Sequence, residues 1–485
     1  MLRQFFLVLA AVFALNSAAA QTGISSGPGV PTPSPFQVVP YNQSTISLMG
    51  DSRTAYTTVS GGSVYTSQSW FNAANARAGH RYILGTNAGG SGCRSDQFLG
   101  PLDLNAVAAD NSGWVVIFSP AANDFGAQTG NGVPAGVGGQ CTNSPGAFPY
   151  TDNNGNTVTA SNVGQLVAQN VINAAERLLS SGKKVIITEE PGASVGMVAT
   201  VAQLYDLNAR LRAYAAARPG QVWIWSYNQA VWNATGSTTA IAFKTNYSVD
   251  GVHYAPIGAD AQAQAFNAAF QNLFPVYDFG AANENFLNST TALSLVPNPL
   301  FTTLTGGTST GCGTITGNIP SGWQITCHNA ATTVTVTSAA DSAGYGNDIT
   351  LAITTTGADS GVSFIGLMTN SWWSTSDYTT GGADVAVTGT PSNACLYYAV
   401  QMVTSGGSSQ QFDMSPNSTT ACPNYAYTYR FRVPTTQPPA GTNSFANSGA
   451  VVIFSAAGSM TYTISRAWAA RTYVYSPVTK TFAGP

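Results

Sequence analysis

Charge is what this sequence has least of. Its 485 residues include 17 Lys and Arg, 20 Asp and Glu and only 3 His, so charged side chains make up 8% of the chain against a typical value of about 25%. The formal net charge is -3. That argues against a nucleic acid or an anionic membrane surface as a partner. Cys-x-x-Cys is absent too: Cys93, Cys141, Cys312, Cys327, Cys395 and Cys422 all stand apart, without the spacing a zinc or redox site favours. After the first residues, no segment approaches the roughly 20 apolar residues of a membrane helix. No transmembrane segment is expected.

What is present begins with Arg3, an apolar run from Phe5 to Leu15 and the small residues Ala18, Ala19 and Ala20. Together they read as a cleavable export signal over residues 1–20. Residues 21–43 are rich in Pro and Gly and read as an irregular leader. In an exported chain the six cysteines imply disulfides. Proximity in sequence suggests Cys93 with Cys141, Cys312 with Cys327 and Cys395 with Cys422, among several possible connectivities.

The rest is too long for one core and divides by texture. Over residues 44–285, apolar runs at Thr45 to Met49, Tyr82 to Gly85, Trp114 to Phe118, Val185 to Thr188 and Val222 to Trp225 read as buried strands. Between them lie helical stripes. Val167, Val171, Ala174 and Leu178 form one, Val201, Leu204, Leu207, Leu211 and Tyr214 a second, and Ala263, Phe266, Phe270 and Leu273 a third. This alternation predicts an α/β domain, doubly wound around a mostly parallel sheet. Over residues 295–485 the helical stripes vanish. Thr333 to Thr337 alternates cleanly, and Tyr425, Tyr427, Tyr429, Phe431 and Val433 share one face of a period-two segment. An antiparallel β-sandwich is expected there.

Histidine is the scarce component for chemistry. His80 borders a predicted strand and His328 follows Cys327, and both read as structural. His253 differs, lying in Val249-Asp250-Gly251-Val252-His253-Tyr254, between a strand and a helix, where loops carry catalytic groups. A tight Asp-x-x-His turn lets the carboxylate accept the Nδ1 proton while Nε2 faces a nucleophile. The serine candidate is Ser52, in Gly50-Asp51-Ser52 at the end of the first strand, the edge at which open α/β sheets bind ligands. Glu189 and Glu190 leave a strand on opposite faces, so a glycosidase pair is disfavoured and a capping or solvated role expected. Trp223 and Trp225 share a strand face and read as core.

Gly50-Asp51-Ser52 resembles the first block of the SGNH (GDSL-like) hydrolase family, and further blocks follow in the family's order. Asn87 to Gly92 is similar to the second, Ala121-Ala122-Asn123-Asp124 to the third and Asp250-x-x-His253 to the last. The resemblance covers roughly residues 44–280 and implies a flavodoxin-like hydrolase domain. It implies Ser52, Asp250 and His253 as a catalytic triad. The Ser52 N–H, the Gly92 N–H and the Asn123 side chain become the oxyanion donors, with no metal or cofactor. Two departures stand out: Ala121 replaces a glycine, and Arg53 replaces a leucine at a position that reads as permissive.

The implied chemistry is ester hydrolysis through an acyl-enzyme. Because the imidazole base must be neutral, activity is expected to fall in acid. Asn298-Pro299-Leu300-Phe301 and Ile319 to Trp323 loosely resemble the opening of jelly-roll carbohydrate-binding modules. That favours an acylated polysaccharide as substrate and a secreted or periplasmic carbohydrate (acetyl) esterase. A lipid or aryl esterase, and a non-catalytic glycan-binding adhesion protein on a hydrolase scaffold, are the alternatives.

Overall fold

The computed structural model describes residues 44–483 except 59–65, 127, 131–140, 142, 146–147, 194–198, 234–241, 275–295, 343, 345, 369–377, 405–406, 417–420, 437–441, 473 and 477–480. The export signal and the leader of the sequence reading lie outside the described residues. Among the described residues, no helix is long and apolar enough to cross a membrane.

Strands β1 (Thr45–Gly50), β2 (Ile83–Gly89), β3 (Trp114–Phe118), β4 (Lys184–Thr188) and β5 (Val222–Trp225) form a sheet in the order β2-β1-β3-β4-β5. Every pairing is parallel. This is the flavodoxin-like order, whose ligand crevice opens where β1 and β3 end side by side. All of β1 and β3 is buried, as a strand covered on both faces requires. β2 runs four residues beyond its predicted end. Thr86 and Asn87 hide the extension from a hydrophobicity pattern, but pairing with β1 continues to Gly50 opposite Gly89.

Helices cover both faces. On one face lie α1 (Ser52–Ala55), α2 (Trp70–Arg77) and the long helix Pro256–Phe270. Trp70, Phe118, Trp225 and Phe266 make a cluster there, with Trp70 4.7 Å from Trp225 and 4.8 Å from Phe266 between ring centroids. Trp223 packs on Trp114 at 5.0 Å, so both strand tryptophans belong to this side of the core. On the other face, Val163–Ser180 buries Val167, Val171, Ala174 and Leu178, and Val201–Ala216 buries Leu204, Leu207 and Leu211. Thr200 and Gln203 close a capping box at the start of the latter. Leu273, expected in the third stripe, is 42% exposed, because the chain leaves the helix after Phe270 for a short 3-10 turn.

The C-terminal half is a mostly antiparallel β-sandwich built from one hydrogen-bonded set of ten strands. Two long strands, Tyr378–Thr404 and Thr442–Thr472, pair with each other, and their register shifts around Ser392. Two short pairings at its ends are parallel. Thr333–Ala340 buries Val334 and Val336 while its threonines face outward. Tyr427, Tyr429, Phe431 and Val433 are buried on one face of Tyr427–Thr436. Disulfides join Cys93 to Cys141, Cys312 to Cys327 and Cys395 to Cys422.

Candidate active site

The chain leaves β1 through Gly50, where a Cβ would sit 2.5 Å from the Phe118 carbonyl oxygen. Only glycine fits so close to the neighbouring strand. Asp51 then caps α1, its carboxylate accepting the Arg53 N–H at 2.9 Å. Ser52 is thereby the first residue of α1 and only partly buried at the carboxyl edge of the sheet. Gly89 at the end of β2 lies against the same helix, where a Cβ would come within 2.3 Å of the Ala55 nitrogen.

From 201 positions away, His253 meets Ser52: Nε2 lies 2.8 Å from the serine Oγ. Its Nδ1 lies 2.6 Å from Asp250 Oδ2. The other carboxylate oxygen of Asp250 accepts the N–H groups of Val252 at 2.9 Å and His253 at 2.7 Å. That folds Asp-x-x-His into a turn with both side chains on one side. Burial raises the Asp250 carboxyl, but the His253 ring and these N–H groups outweigh it and hold the group down at about 2. The carboxylate is therefore ionised wherever the protein is folded at moderate pH. The three residues form one hydrogen-bonded line from an exposed carboxylate to a partly exposed hydroxyl.

Gly92 sits at φ 76 in the loop after β2, beside the half-cystine Cys93. Asn123 is the second residue of the short helix Ala122–Phe125 that follows β3, is buried, and donates from Nδ2 to the Cys93 carbonyl at 2.8 Å. A hydrogen bond thus joins Asn123 to the residue that follows Gly92. Asp124 secures the same junction, accepting the Ser95 N–H at 2.9 Å and its hydroxyl at 2.8 Å. Burial and the nearby Asp96 raise the Asp124 carboxyl well above its ordinary range. Ala121, where the resembled family has glycine, adopts φ -136, a backbone that any L-residue accepts.

Arg53 overturns its reading as a permissive position. It is 2% exposed, with Nη2 2.8 Å from Asp51 and 3.3 Å from Glu190. Nor are the two glutamates solvated. Glu190 is fully buried and accepts the Ala121 N–H at 3.0 Å and the Gly192 N–H at 2.8 Å. Glu189 is buried against Arg212 and Asn228. Burial alone would lower the Arg53 guanidinium, but Asp51 and Glu190 hold it well above its ordinary value. Such a pairing between residues 137 apart leaves no local signature.

Tyr56 also went unread. Its ring stacks on the His253 imidazole, centroids 5.0 Å apart and planes 28° from parallel. The one available signal is its position, four residues after Ser52 and thus on the same side of a helical turn. His80 lies in a left-handed turn before β2, φ 59, near Asp413 at 3.5 Å. His328 is exposed and hydrogen-bonds Ser360 at 2.8 Å. Among the described residues, no group of three or more His, Cys, Asp or Glu side chains is arranged to hold a metal ion.

No family model matches the chain, and no curated protein matches it. Among solved structures it is similar to a GDSL-like lipase from Bacteroides thetaiotaomicron VPI-5482, at 20% identity and a TM-score of 0.31, covering 47% of this chain and 89% of that one. It is also similar to an acetyl xylan esterase, at 14% identity and a TM-score of 0.31 over 47% of this chain and 99% of that one. A structure of carbohydrate-binding modules of the β-sandwich superfamily aligns with 30% of this chain and 56% of its own, at 11% identity and a TM-score of 0.23.

Proposed function

We propose that this chain is an exported serine esterase in which Ser52 is the nucleophile, His253 the general base and Asp250 the carboxylate that orients and charge-balances the imidazole. The observation that carries the reading is the line from Ser52 Oγ to His253 Nε2, 2.8 Å, and from His253 Nδ1 to Asp250 Oδ2, 2.6 Å. Ser52 Oγ attacks the ester carbonyl as its proton passes to Nε2, and the imidazolium then protonates the departing alcohol. Water, deprotonated by the same nitrogen, hydrolyses the acyl-enzyme and releases the acid. The Ser52 N–H, the Gly92 N–H and the Asn123 carboxamide are the donors for the oxyanion in both steps, each worth about 2.7 to 4 kcal/mol of the barrier.

The substrate proposed is a short acyl group, acetyl above all, on a polysaccharide. The half-exposed Asp250 borders the histidine with a polar group. An entrance for lipid is expected to be more apolar. The appended β-sandwich is a natural element for holding a polymer. Export is supported by the three disulfides, which persist in oxidising compartments.

The test is acetate release from p-nitrophenyl acetate and from acetylated xylan, by the wild-type protein and by Ser52→Ala. Both activities are expected, with at least about a 10⁴-fold loss of kcat in the variant. Activity on the small ester alone would keep the nucleophile and remove the polymer. Preference for long acyl chains would favour the lipid esterase, and silence on every ester would leave a glycan-binding protein on a hydrolase scaffold.

A further inference from the structure

Three buried ionic groups lie directly beneath Ser52, and the chemistry proposed above uses none of them. Arg53 Nη2 contacts Asp51 at 2.8 Å, Glu190 at 3.3 Å and the Ser119 carbonyl at 3.3 Å, while Nη1 reaches the Gly192 carbonyl at 3.5 Å. Nε adds a contact to each oxygen of Asp51 at 3.2 Å. Asp51 belongs to the turn after β1, Ser119 to the turn after β3, and Glu190 and Gly192 to the segment after β4. One planar guanidinium therefore joins the carboxyl ends of three adjacent strands.

Stability alone is a poor reason for such a cluster. Withdrawing charges from water offsets most of their mutual attraction, and apolar residues of similar volume often serve as well or better. A leucine, the residue of the resembled family at this position, would fill the space without that cost. It could not hydrogen-bond in four directions. The guanidinium fork is rigid and directional, and the far end of the cluster is an oxyanion-loop contact: Glu190 accepts the N–H of Ala121, two residues before Asn123. Asn208 fixes Glu190 in turn, accepting its backbone N–H at 2.8 Å and donating to its carbonyl at 3.0 Å.

We propose that Arg53 is a positioning residue: through Asp51 and Glu190 it sets the spacing between the nucleophile turn and the loop carrying Asn123. The proposal rests on the esterase reading for its kinetic consequence but not for its structural one. Misplacing a catalytic group by about 1 Å costs on the order of a hundredfold in rate. A loosened clamp therefore lowers kcat and leaves KM nearly unchanged.

The experiment compares Arg53→Lys, Arg53→Leu and the double variant Arg53→Leu/Glu190→Leu in the full chain. It measures kcat and KM on p-nitrophenyl acetate, the melting temperature, and hydrogen exchange at the Ala121 amide. Arg53→Lys keeps the charge but loses the fork and is expected to lower kcat about tenfold or more, with KM within about twofold. Arg53→Leu strands both Asp51 and Glu190 and is expected to melt early. The double variant removes one of the two stranded carboxylates and is expected to recover part of the melting temperature but not kcat, while in Arg53→Lys, which keeps the Glu190 acceptor of the Ala121 N–H, Ala121 is expected to exchange at least about tenfold faster than in the wild type. A double variant with wild-type kcat, or unchanged Ala121 exchange in Arg53→Lys, overturns the proposal. A folded wild type that cleaves no ester sinks the esterase reading, and the exchange rates then decide the clamp by themselves.

Discussion

The ring of Tyr56 lies against the His253 imidazole, which in the proposed mechanism becomes a cation on accepting the serine proton. Burial, followed by the charges of Asp250 and Asp51, pushes the Tyr56 hydroxyl up to about 12, so the ring stays a neutral phenol at neutral pH and well above it. A neutral aromatic face over a cation contributes about 0.5 to 2 kcal/mol. Tyr56→Phe is therefore expected to retain kcat within about twofold, and Tyr56→Ala to lose about 2- to 30-fold on p-nitrophenyl acetate. Equal losses in both variants would assign the effect to the hydroxyl. At this scale Ser52, Asp250 and His253 were legible because their motifs are short and histidine is scarce. Arg53 was misread because its meaning lies in Glu190, 137 positions away.

Helix Pro101–Ala109 illustrates the limits of pattern within one element. Asp103 stands in its first turn, where a carboxylate ordinarily faces the helix dipole from the surface, yet it is 1% exposed and neither oxygen has a hydrogen-bond partner among the described residues. Burial raises its carboxyl to about 7. Below the ordinary value of 3.8 both folded and unfolded chains hold the proton. As pH rises from there to about 7 only the unfolded chain releases it, so stability falls across that window and levels off above it. Asp103→Asn is expected to raise the melting temperature at pH 8, by a stabilisation on the order of 1 to 3 kcal/mol, and to change little at about pH 3.5. An equal shift at both pH values would contradict this. The strands and long helices themselves were legible: β3 and β5 match their apolar runs residue for residue. The far end of β2 was not, because ladder hydrogen bonds extend it through polar residues.

The whole molecule adds contacts that a division at residues 285 and 295 does not suggest. Asp260, fully buried on the helix that follows His253, accepts Arg77 of α2 at 2.5 and 2.6 Å and the hydroxyls of Tyr425 and Tyr429 from the β-sandwich. The same helix donates its Ile257 N–H to the Ala421 carbonyl at 3.1 Å, next to the half-cystine Cys422. The sandwich thus grips the helix start four residues after His253. Removing one partner of a buried pair costs about 3 to 5 kcal/mol. Because Arg77 is 18% exposed, Asp260→Ala is expected near the lower end, about 3 kcal/mol. Calorimetry is expected to record one transition that shifts as a whole. Two separate transitions, only one of them displaced, would show that the halves unfold independently.

By itself the sequence determined the period of each element, the strand ends that carry serine and histidine, and the change from α/β to β texture. Each of these depends on residues close together in the chain, where apolar spacing and turn chemistry act directly. Tertiary structure alone decided that Arg53 is a buried clamp, that Tyr56 covers the histidine, and that Asp260 serves both halves. Burial and ion pairing arise between residues brought together from distant positions, and no local pattern encodes which charge will meet which.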